Sequence, residues 1–135
     1  MKASIFYRIA AVVLVLFALL HTLGFRQNIP GATAVIDLMR SVHINAQGFY
    51  RSYWDFFSAF GLYFSVFLLF SAVLAWQLSS LPPETMSAMR GVAWTLAITF
   101  WVVTVLTFIY AFTAPLVFAV VATLSLTAAA WLSSK

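Results

Sequence analysis

Four long apolar runs are the feature that most limits how this chain can fold. They cover residues 5–24, 53–78, 89–112 and 115–132. A helix needs roughly 20 mostly apolar residues to cross a hydrocarbon core about 30 Å thick, and in lipid it satisfies its backbone hydrogen bonds internally. The pattern predicts an all-α fold, an integral membrane four-helix bundle with both termini on the same side of the membrane.

The composition agrees with this fold and excludes several functions. Of the 135 residues, 64% are hydrophobic and 7% are charged, whereas a soluble domain carries roughly 25% charged residues. The chain has no cysteine, which excludes disulfides, thiolate metal ligands and thiol catalysis. The net charge of +4 is scattered, so we interpret it as an orientation signal and as contact with lipid headgroups, not nucleic acid. A single transmembrane domain is expected at this length.

The ends of the runs carry local signals. Lys2 and Arg8 precede the first run as in a signal peptide, but no small-x-small cleavage motif follows it at residues 21–24, so we predict a retained helix. Pro82-Pro83 end the second run. Ala114-Pro115 separate the third and fourth runs, which together are about twice as long as a membrane requires. We therefore predict two passes joined by a tight hairpin.

The connection 25–52 is the one sizeable segment between runs. Pro30-Gly31 predict a turn. Beyond it, apolar residues recur at helical spacing, at Val35, Ile36, Met39, Val42 and Ile44. This pattern favours an amphipathic helix lying on the membrane surface. The alternative is a helical extension of the second run, with a bend at Gly48.

The chain threading divides the polar residues between two membrane faces. The connection 25–52 and the short one after the third run lie on what we name the loop face; both termini and the connection after the second run lie on the terminal face. The terminal face carries Lys2, Arg8, Arg90 and Lys135, and the loop face carries Arg26, Arg40 and Arg51. Aromatic residues mark both interfaces: Tyr7, Trp76, Trp94 and Trp131 on one, Tyr50, Tyr53, Trp54 and Tyr110 on the other. The positive-inside rule favours cytoplasmic termini in a multi-pass protein of the cell inner membrane.

Most residues that could carry chemistry converge on the loop face. We take six of them as candidates for ligand binding: His21, Arg40, His43, Arg51, Asp55 and Tyr110. A polar mouth above an apolar bundle is typical of a site for a lipophilic or amphiphilic small molecule. The sequence identifies no catalytic residue.

Each ionisable candidate also has a structural interpretation. Arg51 and Asp55 are spaced i,i+4, so on a helix they would share a face and form a salt bridge at the interface. His21 is either a proton carrier or a hydrogen-bonding anchor between helices. His43 lies on a loop or a surface helix, where a solvated amphipathic face is the structural interpretation.

Metal and cofactor binding have little support in the sequence. A helical bundle can hold a haem between two histidines. His43, however, lies outside the runs, and neither His21 nor His43 belongs to a metal-spaced motif. Zinc requires three or four ligands, so we predict no zinc site. Pairs such as Gly61 and Ser65, or Ala93 and Ala97, indicate close helix packing.

Two segments resemble a known group of proteins. They are residues 21–24, His-Thr-Leu-Gly, and residues 51–57, Arg-Ser-Tyr-Trp-Asp-Phe-Phe, with Phe60-Gly61-Leu62 after them. Together with the chain length they resemble a family of small four-span bacterial membrane proteins that has no assigned activity. The resemblance implies the four-span topology and no particular reaction.

A second resemblance is confined to Asp37, Arg40, His43 and Asn45. These residues are similar to part of the acidic-Arg-x-x-His-x-Asn motif of the membrane-associated eicosanoid and glutathione metabolism superfamily. That likeness implies a four-helix bundle, usually trimeric, that holds glutathione with this segment. Gly48 stands where the motif has an acidic residue, and the motif precedes the second run.

Three functional hypotheses follow from the sequence. The first is the binding or processing of a lipophilic or amphiphilic small molecule at the loop face. The second is a non-catalytic subunit or scaffold, acting as a homo-oligomer or within a larger membrane complex. The third is a small proton-coupled transporter in which Asp55 couples protons, although the chain has no inverted repeat.

Overall fold

The computed structural model describes residues 2–24 and 31–134. Within these ranges the chain forms six helices and one two-stranded antiparallel hairpin. The elements in chain order are α1 (Lys2–Gly24), α2 (Thr33–Ser41), β1 (His43–Ala46), β2 (Phe49–Ser52), α3 (Tyr53–Ser79), α4 (Pro83–Ala88), α5 (Arg90–Tyr110) and α6 (Thr113–Ser133). The predictions for Arg26, Pro30 and Lys135 lie outside the described residues.

Four of the helices are long and apolar enough to cross a membrane. They are Ala3–Gly24, Tyr53–Ser79, Arg90–Tyr110 and Thr113–Ser133. They correspond to the four predicted runs within a few residues at each end. This confirms the predicted fold class, an all-α membrane protein built as a helical bundle.

The helices α1 and α6 form the middle of the bundle. α1 packs against α3 on one side and α6 on the other, and α5 packs against α6. Small side chains at the interfaces, among them Ala10, Ala122 and Ala129, are fully buried and let the backbones approach closely. The rings of Phe67 and Phe100 stack with centroids 5.7 Å apart, which links α3 to α5.

Polar side chains tie the helix ends together at the terminal face. The Ser4 hydroxyl donates to the Ser79 carbonyl at 2.6 Å, which joins α1 to the end of α3. Tyr7 Oη and Ser133 Oγ are 3.3 Å apart. Trp94 Nε1 donates to Ser134 Oγ at 3.2 Å. The prediction that Tyr7 belongs to the interfacial aromatic belt is wrong, because its ring is 0% exposed inside the bundle.

The connection 25–52 differs from both predicted forms. α2 is a surface helix, as one alternative expected, but it ends at Ser41 and excludes Val42 and Ile44. The chain then forms the hairpin of β1 and β2, so the predicted extension of the second run is wrong. The hairpin turns through Gln47 and Gly48, with φ of 53° and 86°. Both angles are positive, because a two-residue turn needs positive φ to match the twist of its strands. Gly48 adopts such an angle without strain, since it has no Cβ atom.

The break between the last two helices lies a few residues before Pro115, the residue from which it was predicted. α5 ends at Tyr110, two extended residues follow, and α6 begins at Thr113. Pro115 therefore lies in the first turn of α6, where its missing N–H has no carbonyl partner to lose. The predicted tight hairpin is confirmed, with its turn at Ala111 and Phe112.

The first turns of α3 project beyond the end of α1 on the loop face. His21, one turn before the end of α1, contacts Ser65 of α3. Ser65 lies ten residues after Asp55, and a helix rises 1.5 Å per residue, so the two are about 15 Å apart along α3. The cap formed by α2 and the hairpin packs on this projecting part of α3.

Candidate functional site

Asp55 holds the junction between the hairpin and α3. Its Oδ2 atom accepts hydrogen bonds from the Ser52 backbone N–H at 2.8 Å and from the Ser52 hydroxyl at 2.9 Å. The Asp55 N–H lies 3.2 Å from the same hydroxyl, completing a capping box. Ser52 is buried, so this network satisfies backbone donors that α3 would otherwise leave unpaired. Asp55 is thus engaged by its own helix start.

Arg51 does not share a helix face with Asp55, contrary to the predicted spacing. Arg51 belongs to β2 and faces Ile44 across the hairpin. Its guanidinium donates to the Tyr50 carbonyl at 3.3 Å and lies 5.8 Å from the ring centroid of Phe49. Within residues 2–24 and 31–134, no ion pair joins Arg51 to Asp55, although Arg51 is within electrostatic range of that carboxylate. The capping box therefore replaces the expected salt bridge.

The Arg40 guanidinium lies over the ring of Trp54, a contact that the sequence did not predict. Its guanidinium carbon is 5.0 Å from the ring centroid of Trp54, a cation–π contact between the last turn of α2 and the first turn of α3. The Arg40 side chain is exposed, whereas Trp54 is half-buried. A planar guanidinium fixed in this way keeps its N–H edges available to a carboxylate or phosphate.

His43 is held at the start of the hairpin. Its ring stacks on Tyr50 with centroids 4.7 Å apart and planes 10° apart. This is a diagonal cross-strand pair, since His43 faces Ser52 in the ladder. His43 Nδ1 lies 3.0 Å from the Ser41 carbonyl oxygen. The ring therefore belongs to the same cap as Arg40 and Arg51, on a strand and not on the predicted surface helix.

His21 is a polar anchor between α1 and α3. Its Nδ1 atom lies 3.0 Å from Ser65 Oγ, and the Thr22 hydroxyl donates to the same oxygen at 2.8 Å. The His21 ring also packs edge-on against Phe64, with centroids 5.0 Å apart. This geometry supports the anchoring interpretation of His21. Gly61 belongs to the same junction, because the Ser65 hydroxyl donates to the Gly61 carbonyl at 3.3 Å.

One face of α3 connects the cap to His21. Trp54, Ser58, Gly61 and Ser65 follow each other at spacings of three and four residues, which aligns them along one side of a helix. Ser58 and Gly61 are half-buried, and neither has a large side chain. We name this surface the α3 stripe. It runs about 15 Å along α3, from Trp54 beneath Arg40 to Ser65 beside His21.

Tyr110 stands apart from the other candidates. It ends α5, is 82% exposed, and makes no hydrogen bond or ring contact with another described residue. The structure therefore brings together Arg40, His43, Arg51 and Asp55 in the cap, with His21 at the far end of the α3 stripe.

The geometry does not fit a haem held between the two histidines. His43 faces Ser52, before the start of α3, while His21 is level with Ser65, about 15 Å or more along the helix. A single iron cannot bind both imidazoles at that separation. No cluster of three metal-ligating side chains occurs in the part of the chain that the structure describes.

An apolar groove lies between α1 and α3, at the middle of α1. It occupies about 320 Å³, and its lining on α3 belongs to the half of that helix nearer the terminal face. Its lining residues are Ala11, Val12, Val15, Leu16, Leu69, Ala72, Val73 and Trp76. The sequence did not predict this groove, because it depends on how two helices pack and not on any local pattern.

Sequence reasoning missed the aromatic partners of the cations. Trp54 follows Arg40 by 14 residues, and only the reversal of the chain in the hairpin brings them together. Trp76 and Arg8 are on different helices and meet because α1 and α3 are antiparallel. The sequence held one signal for such contacts: it has seven Lys and Arg residues but three Asp and Glu. Most of the cations therefore need a partner other than a carboxylate.

Comparisons of the chain with protein-family models, with curated proteins and with solved structures found no match. The resemblances noted from the sequence therefore remain predictions.

Proposed function

We propose that the protein binds an amphiphilic small molecule with an anionic head at the loop face. The head would pair with Arg40 in the cap, and the chain of the molecule would follow the α3 stripe toward His21. The observation that carries this proposal is the continuous surface of small and hydroxyl-bearing residues between a fixed guanidinium and a half-buried histidine.

The charge of the cap supports an anionic ligand. Arg40 and Arg51 are both exposed, and among the described residues neither is within ion-pair distance of a carboxylate. The Asp55 carboxylate accepts two hydrogen bonds from Ser52 at the start of α3, and it forms no ion pair with Arg40 or Arg51. The cap therefore offers cationic groups whose counterion is not supplied by this part of the chain.

The α3 stripe supports a chain-like ligand. Ser58 and Gly61 carry small side chains on this side of α3, between the larger rings of Trp54 and Phe64, and all four residues are half-buried. Small side chains between aromatic rings suit an alkyl chain, and the hydroxyl groups beside them can orient it. The Asp55 carboxylate caps α3 and takes no part in binding the ligand.

The test uses a fluorescent fatty acid and its methyl ester with the purified protein in mild detergent. We expect the wild-type protein to prefer the acid, and Arg40→Gln to lower that preference about fivefold, the effect of losing roughly 1 kcal/mol from one interfacial cation. Ser58→Trp should weaken binding of both probes, because the indole would fill the α3 stripe.

Two matched variants control for general effects. Arg90→Gln removes a cation from the terminal face, and Val66→Trp adds an indole to a position of α3 that is 64% exposed; both should bind like wild type. If Arg40→Gln retains the full preference for the acid, or Ser58→Trp binds both probes normally, the proposal is wrong.

We further propose that the chain is a multi-pass protein of a bacterial inner membrane with both termini in the cytoplasm. Its lack of cysteine allows a direct test with single-cysteine variants. In sealed right-side-out vesicles, a membrane-impermeant maleimide should label Gln47→Cys in the hairpin turn and leave Ser87→Cys in α4 unlabelled. The reverse pattern would invert the orientation.

A second candidate function is that of a non-catalytic subunit. The loop-face part of α3 exposes an aromatic surface, with Phe57, Phe60 and Tyr63 exposed at 49%, 70% and 67%. Such a surface fits a lateral protein contact. Purification in mild detergent as a complex of defined stoichiometry, dissociated by Phe60→Ser, would favour this function; a monomer that binds the fatty acid would contradict it.

A further inference from the structure

The apolar groove between α1 and α3 ends beneath a cation. The groove is lined by residues from Ala11 to Leu16 on α1 and from Leu69 to Trp76 on α3. Along α3 this lining extends about 10 Å, roughly two thirds of the hydrocarbon depth of one leaflet. Every lining side chain is apolar, so the groove suits a hydrocarbon chain that lies parallel to the helices.

Arg8 stands one turn above the groove on the side of the terminal face. Its guanidinium carbon is 5.8 Å from the ring centroid of Trp76, and Trp76 itself lines the groove. Arg8 is exposed, and no carboxylate of the described residues lies within ion-pair distance of it. The cation is therefore fixed at the mouth of the groove with its charge unmatched by this part of the chain.

We infer that this groove and Arg8 form a binding site for one anionic phospholipid. An acyl chain occupies the groove, and the phosphate of the headgroup pairs with the Arg8 guanidinium at the membrane surface. Charge complementarity selects this occupant, because a zwitterionic lipid carries its own cation beside the phosphate. Arg8 precedes the groove by one helix turn toward the terminal face, so a phosphate at the membrane surface can reach its guanidinium while the acyl chain lies in the groove.

The site stabilises the contact between α1 and α3. Val12 and Val73 line opposite walls of the groove and are 52% and 56% exposed, so a chain bound between them covers apolar surface on both helices. Trp76 is shared by the groove and by Arg8, which couples the position of the headgroup to the position of the chain. This site is separate from the α3 stripe, which lies nearer the loop face.

The test is native mass spectrometry of the protein with phosphatidylglycerol or phosphatidylcholine of identical acyl chains. Wild type should retain phosphatidylglycerol about fivefold more than phosphatidylcholine. Arg8→Gln should reduce this ratio to near one, whereas Arg8→Lys, which keeps the charge, should retain most of it. Val12→Trp should lower retention of both lipids, because the indole fills the groove.

Controls separate the site from general lipid contact. Arg90→Gln, on the same face, and Val102→Trp, at a position of α5 that is 54% exposed, should behave as wild type. Arg40→Gln should also leave the lipid ratio unchanged, which distinguishes this site from the proposed function. Equal retention of the two lipids by wild type, an unchanged ratio in Arg8→Gln, or normal retention in Val12→Trp would each overturn the inference.

Discussion

Asp55 and Ser52 bond to each other reciprocally at the start of α3. One carboxylate oxygen of Asp55 accepts from both the N–H and the hydroxyl of Ser52, and that hydroxyl lies 3.2 Å from the Asp55 N–H. The Tyr53 N–H, between them, donates to the Val42 carbonyl at 3.1 Å. These bonds tie the helix start to the hairpin, so Asp55, one of the six ligand-binding candidates, caps its own helix.

Asp55→Ala should therefore destabilise the protein by about 1 kcal/mol, the usual loss when a helix cap is removed. The unfolding free energy in detergent micelles measures this effect. Binding of the fluorescent fatty acid per folded molecule should stay as in wild type. Loss of binding with unchanged stability would instead make Asp55 a ligand-binding residue.

Asp37→Ala is the matched control for that variant. Asp37 is exposed on α2 and makes no hydrogen bond or ion pair with another described residue. Its removal changes the charge of the loop face by the same amount, so stability should change by less than about 0.5 kcal/mol.

Gly48→Ala should weaken the hairpin. Gly48 has φ of 86°, where a Cβ atom costs roughly 1 kcal/mol, although nothing within 4 Å would block it. Faster amide hydrogen exchange in residues 43–52 measures the effect. Gly91→Ala in α5 is the control, because its added Cβ also meets open space and a helical backbone favours alanine. Unchanged exchange in Gly48→Ala would contradict this account of the turn.

Thr123→Val should loosen the contact between α5 and α6. Thr123 is 1% exposed, and its hydroxyl donates to the Phe100 carbonyl at 2.9 Å and lies 2.8 Å from Thr104 Oγ1. Interhelical hydrogen bonds in membranes contribute about 0.6 kcal/mol on average, with a maximum near 1.7. We expect a loss within that range in micelle unfolding experiments.

The control for this bond is Thr99→Val. The Thr99 hydroxyl donates to the Thr95 carbonyl within its own helix, so its removal breaks no contact between helices. An equal loss of stability in Thr99→Val and Thr123→Val would show that helix propensity, and not the interhelical bond, accounts for the change.

The four spanning helices were predictable because each is specified by a local property. Length, hydropathy and the absence of charge fix where a helix can cross lipid, and these are readable in any window of the chain. The hairpin was not predictable in the same way. Val42 and Ile44 fit the helical spacing of α2, and only the pairing of β1 with β2 and the positive φ angles of Gln47 and Gly48 end that helix.

The candidate site was predictable in composition and not in arrangement. Threading alone assigned Arg40, His43, Arg51 and Asp55 to one membrane face, and the structure gathers them in one cap. It could not indicate that α3 projects about 15 Å beyond His21, since the offset between antiparallel helices depends on which side chains interdigitate. The offset separates His21 from the cap, and the α3 stripe lies between them.

The sequence by itself determined that four helices are long and apolar enough to cross a membrane, and which end of the bundle holds most of the polar side chains. The tertiary structure decided the partners of each cation: Trp54 for Arg40 and Trp76 for Arg8. The physical reason is range. Partition into a membrane is a sum over neighbouring residues, whereas a ring beneath a guanidinium, or a groove between two helices, exists only after distant parts of the chain have packed.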